Sequence, residues 1–67
     1  MMTASAPIDA DALRIRHEFL TLPDLRASVA SFANLLNVSE RHARLVLESL
    51  VDEGFLKRAA DGLYERG

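Results

Sequence analysis

At 67 residues the chain has room for one domain and no second. Its 49% hydrophobic content suffices for a single core, and the absence of cysteine excludes disulfides and thiolate metal sites as staples. A net charge of −2 excludes a strongly basic, non-specific nucleic-acid coat and leaves only a locally concentrated positive face.

Residues 1–10 (MMTASAPIDA) are small and polar without a visible period, so they read as a flexible lead-in to a domain over 11–67. No basic region followed by an apolar run opens the chain, and no apolar run approaches the roughly 18 residues of a membrane span. The chain therefore reads as cytoplasmic, with no membrane partner. Asp9 or Asp11 is the expected cap of a first helix from Ala12 to Leu20. Ile15, Phe19 and Leu22 stand at i, i+4 and i+7, with Leu13 and Leu20 widening the stripe, and Pro23 ends it.

Leu25-Arg26-Ala27 is expected to be a short extended link or edge strand. Ser28 then caps a second helix, Val29 to Leu36, with Val29, Phe32, Ala33 and Leu36 inward. Asn37 tolerates the left-handed conformation that closes helices, and Val38 folds back onto Ala33. Ser39 caps a third helix over 40–53, whose inward face is Ala43, Val46, Leu47, Leu50 and Val51. Gly54 stops it, placing Phe55 on Leu50. The tail from 55 to 66 reads as two short strands flanking Asp61-Gly62, a β-hairpin.

Helices joined by only Asn37-Val38-Ser39 are expected to cross steeply, with small Ala33 at the contact. The run Val29-x-x-Phe32-Ala33-x-x-Leu36-Asn37-Val38-Ser39, followed by Ala43, Val46-Leu47, Leu50 and Glu53-Gly54-Phe55-Leu56, resembles the winged helix-turn-helix domains of bacterial regulators. Lys57-Arg58 to Asp61-Gly62-Leu63-Tyr64 resembles their wing. The likeness covers about 28–66 and departs at Asn37, where that family usually has glycine. Glu18-Phe19-Leu20-x-x-Pro23-x-Leu25-Arg26-x-Ser28 is similar to the opening of short bacterial winged-helix proteins of unassigned function. The resemblance implies a mainly α fold with a small β-hairpin, a three-helix winged helix-turn-helix, and double-stranded DNA as partner in transcriptional regulation.

A third helix placed in a major groove would read bases from its outward N-terminal half. Arg41, His42, Arg44, Leu45 and Ser49 lie opposite the inward face, together with Glu48. Arg41 and Arg44 can fork onto guanine or hold phosphate; the bland alternative pairs Arg44 with Glu48 at i, i+4. Leu45 suits a thymine methyl or a protein partner, or is simply an exposed leucine. His42, in the first turn, reads as a neutral hydrogen-bonder to phosphate or base. Lys57, Arg58 and Arg66 form a second basic group. Alternation puts Lys57 and Arg58 on opposite faces, and Arg58, nearer the tip, is the expected phosphate or minor-groove contact. Arg26 and Ser28, with the free N–H groups opening the second helix, and Ser39 at the start of the third complete the expected DNA-binding set. Glu48, Asp52 and Glu53 would repel phosphate from the far end.

Catalysis is not expected, because no nucleophile–base pair, carboxylate pair or phosphate loop is present and the glycines fall at 54, 62 and 67. Neither His17 nor His42 belongs to a metal-ligand cluster, and no cofactor is expected. Leu13, Ile15 and Leu20 are candidates for a homodimer seam, or ordinary core. The rival function is protein–protein interaction through the same helix face, which the acidic balance favours.

Overall fold

The computed structural model describes residues 7–67, with side chains from residue 10 onward. Of the expected flexible lead-in over 1–10, residues 1–6 lie outside the described residues and residues 7–10 are helical, not a lead-in. Serine caps define the two inner helices. Ser28 Oγ accepts the Ser31 N–H at 3.2 Å and opens helix α2, Val29–Leu36. Ser39 Oγ accepts the His42 N–H at 3.1 Å and opens α3, Glu40–Asp52. Each bond satisfies a donor that the first helical turn leaves without a partner. Asn37 closes α2 in the left-handed region at φ 59°, which lets the Val38 N–H reach back to the Ala33 carbonyl at 3.0 Å. At the other end of α3, Gly54 takes φ 86° and the Phe55 N–H donates to Leu50 O at 3.0 Å. This conformation strains a residue carrying Cβ, so glycine suits the stop.

The first helix is longer than its apolar stripe. Helix α1 runs Pro7–Thr21, so it begins at Pro7 instead of Ala12. Proline at a first helical position has a φ already near the helical value and sacrifices no needed N–H. Asp9 and Asp11, read as caps, therefore lie inside the helix. The end is as expected: Leu22 donates its N–H to Glu18 O at 2.8 Å, and the chain leaves the helix before Pro23.

Strands β1, Leu56–Arg58, and β2, Tyr64–Arg66, pair antiparallel with Leu56 opposite Arg66, Lys57 opposite Glu65 and Arg58 opposite Tyr64. The turn is wider than a two-residue Asp-Gly loop. Ala59 N–H donates to Leu63 O at 2.8 Å, Gly62 N–H to Ala59 O at 3.0 Å, and Leu63 N–H to Asp61 Oδ1 at 3.2 Å. Ala27, in the link before α2, bridges Tyr64 with two backbone bonds of 3.2 and 2.9 Å. The expected edge segment is thus one residue of pairing on the free side of β2.

The core gathers Ile15 and Phe19 from α1, Phe32, Ala33 and Leu36 from α2, Ala43, Val46, Leu47 and Leu50 from α3, and Leu56 and Tyr64 from the hairpin. Phe19 is fully buried, its ring 5.6 Å from Phe32 and edge-on to Phe55 at 6.3 Å. Ile15 is also fully buried, which removes it from the proposed seam; Leu13 and Leu20 remain exposed. The described residues therefore form a mainly helical α+β fold with one antiparallel hairpin. None of the described helices is long and apolar enough to cross a membrane.

Candidate nucleic-acid interface

No pocket opens and no metal-binding cluster forms among the described residues, so the candidate site is a surface. The outward side of α3 supplies it. Arg41, Arg44 and Leu45 are exposed, and Leu45 keeps 54% of its surface in solvent. Neither arginine has a carboxylate in ion-pair reach among the described side chains, whereas Arg16, Arg26, Lys57 and Arg58 all have one. Arg44 is not paired with Glu48, although the i, i+4 spacing would allow it.

Glu48 is engaged elsewhere. Its Oε2 accepts from the Tyr64 hydroxyl at 2.6 Å and from Arg58 Nη1 at 3.1 Å. Arg58 and Tyr64 are opposite one another in the hairpin register, so both side chains project on one sheet face, toward α3. Arg58, expected to reach outward, instead binds the middle of α3, although its side chain is still 59% exposed. The reason is local: at β1 register, Leu56 must face the core, and Arg58 two residues on shares that face. Lys57 takes the outer face and lies 3.5 Å from Glu65.

Arg26 is also spoken for. Its guanidinium binds Asp61 at 3.0 Å and Glu65 at 2.8 Å, clasping the link before α2 to both the turn and the second strand of the hairpin. As a phosphate perch it would first have to release two carboxylates, so Arg26 is corrected to a structural clasp. His42 needs the same correction. Its ring leans across onto α1, where Nε2 lies 2.6 Å from Asp11 Oδ2. A carboxylate oxygen can only accept, so the proton in this bond is on Nε2. His42 is half-buried and ties the start of α3 to α1 instead of facing outward.

Ser28 and Ser39 are where the sequence put them, at helix starts, with Oγ occupied by capping bonds. Ser49 is half-buried, on the flank of the outward face. Arg66 stacks on Phe55 at 4.4 Å, and Arg16 stacks on the same ring at 4.9 Å while pairing with Glu53. The site that remains is narrower than the sequence suggested: Arg41, Arg44 and Leu45 on α3, with the engaged Arg58 beside Glu48. Glu48 and Tyr64 were missed as a pair. The Asp61-Gly62 turn carries no signal for this pair: a two-residue loop there would set Tyr64 opposite Ala59, and it is the wider turn that sets it opposite Arg58.

The Tyr64 hydroxyl titrates above the ordinary tyrosine value of 10.0; burial is the largest cause, followed by the hydrogen bond to Glu48 and its charge. Arg58 and Arg44 act in the opposite direction. A value raised on folding gives stability that is complete below pH 10.0 and is lost as pH rises through the folded value. Because Tyr64 is the sole tyrosine, phenolate absorbance reports it directly. The midpoint is expected above 10.0 in the folded protein, and Glu48→Gln is expected to lower it without abolishing the burial effect. A midpoint unmoved by Glu48→Gln would contradict this coupling.

No known family model, curated protein or solved structure matches the chain.

Proposed function

We propose that this chain is a cytoplasmic, winged helix-turn-helix module that binds double-stranded DNA and acts in transcriptional regulation. In this reading α3 enters the major groove and the hairpin lies alongside as the wing. The element order, the three-residue turn at 37–39 and the Ala27–Tyr64 bridge that adds a third edge to the hairpin support the architecture. The observation that carries the function is the pair of exposed arginines, Arg41 and Arg44, unpaired among the described side chains in the N-terminal half of α3. A folded protein of net charge −2 has carboxylates to spare, and it uses them on the hairpin and on α1. Glu48, one turn beyond Arg44 on α3, is engaged by Arg58 and Tyr64.

A single module of this size covers only about 600–1,000 Å2 on DNA. A second copy would double the contact, and Leu13 and Leu20 on α1 supply exposed apolar surface for such a homodimer. The competing reading, a protein-interaction module, is favoured by exposed Leu45 and by the acidic composition.

Selection from a random duplex pool, followed by salt titration of the winning site, distinguishes them. For DNA binding the logarithm of affinity is expected to fall with the logarithm of salt, with a slope of about −0.9 per phosphate contact. Three such contacts make fourfold more salt cost roughly 40-fold in affinity. An empty selection at low salt, or binding indifferent to salt, would turn the assignment to a protein partner.

A further inference from the structure

We propose that Leu45 reads the 5-methyl group of a thymine in the major groove, next to a base read by Arg41. This inference rests on the DNA-binding reading and adds a specificity determinant to it. Along an α-helix the four residues from Arg41 to Leu45 rise about 6 Å, close to two base-pair steps of about 3.4 Å. At 100° per residue their side chains point within about 40° of one another, so both address the same groove floor. Arg44 sits on the flank of this stripe, and the next turn is occupied by Glu48 in its bonds to Tyr64 and Arg58. Leu45 is therefore the last residue of the stripe free to reach a base edge.

The chemistry of the surroundings selects the occupant. A protein partner needs an apolar centre, commonly aromatic, within roughly 800 Å2 of contact per side. Here the other strongly exposed leucines, Leu13, Leu20 and Leu22, belong to α1 and the link after it, and α3 offers one leucine beside Arg41 and Arg44, which have no carboxylate partner among the described side chains. An isolated apolar group among cations matches the major groove, where single thymine methyls stand between acidic backbones. Uracil lacks only that methyl, so it is the exact probe.

The test uses the duplex obtained by selection from a random pool. Each thymine is replaced in turn by deoxyuridine, and affinity is measured for the wild type, Leu45→Ala and Arg41→Ala. One thymine is expected within about two steps of the guanine sensitive to Arg41→Ala. Its replacement should weaken wild-type binding about three- to fivefold, as expected for one buried methyl group. The same replacement should leave Leu45→Ala unaffected, and Arg41→Ala should remain sensitive to it. Leu45 is exposed, so an unchanged thermal midpoint in Leu45→Ala confirms that the fold is intact. A selected site whose uracil scan is flat, or whose loss persists in Leu45→Ala, overturns the assignment of Leu45 while leaving DNA binding standing. An empty selection overturns both.

Discussion

Phe19→Ala is expected to leave the protein largely unfolded at room temperature. The ring is fully buried, inclined 30° to Phe32 at 5.6 Å and edge-on to Phe55 at 6.3 Å. It thereby joins α1, α2 and the start of the hairpin in one contact. Truncating a buried phenylalanine costs about 3–5 kcal/mol, from lost transfer energy and the cavity left behind. A chain of this length has only about 3–10 kcal/mol in total, at 0.05–0.15 kcal/mol per residue. No disulfide is present to limit the loss. Urea denaturation followed by circular dichroism measures the effect, with Leu22→Ala as the control. Leu22 is 52% exposed, so its truncation is expected to change stability by less than about 0.5 kcal/mol. Equal costs for the two variants would mean that the aromatic cluster is not the centre of the fold.

The second large effect is on binding. Arg41→Ala is expected to weaken the selected DNA site by about 1–3 kcal/mol, or roughly five- to 150-fold, if its guanidinium forks onto a guanine. Base reading and phosphate contact are separated by the competitor: loss of a base contact falls on the selected site and spares random duplex. Loss of a phosphate contact weakens both and reduces the salt slope by about 0.9. Arg44→Ala, one turn along on the flank, is expected to behave in the second way. Arg58 provides a contrast. Its guanidinium already has Glu48, so phosphate must compete with a partner at 3.1 Å, and Arg58→Ala should cost less than Arg41→Ala. Unchanged affinity for Arg41→Ala at the selected site would remove the residue that anchors the proposed interface.

The candidate list itself divides along the same line. Arg41, Arg44 and Leu45 stay on the outer face of α3 because their positions follow from helix periodicity alone. His42 and Arg58 were placed by the same periodicity or by strand alternation, and Arg26 by its position beside the opening of the second helix, yet each is drawn to a carboxylate far along the chain. Arg26 meets Asp61, His42 meets Asp11 and Arg58 meets Glu48. Backbone spacing fixes the direction in which a side chain leaves its element, but a long guanidinium or an imidazole can bend toward whatever charge the fold brings near.

What the sequence determined unaided was local. Ser28, Asn37, Ser39 and Gly54 each satisfy or terminate a helix through bonds within a few residues, so those boundaries follow from residue type. The inward faces of α2 and α3 follow from the 3.6-residue period, and the hairpin from Asp61-Gly62. Only the tertiary structure decided how far α1 extends, which cations keep a free face, and that Glu48 joins α3 to the hairpin. Those outcomes depend on Coulomb attraction and hydrogen bonding between groups separated by 10 to 35 positions in the chain. Such pairs are created by packing the core first, and no periodicity along one element encodes them.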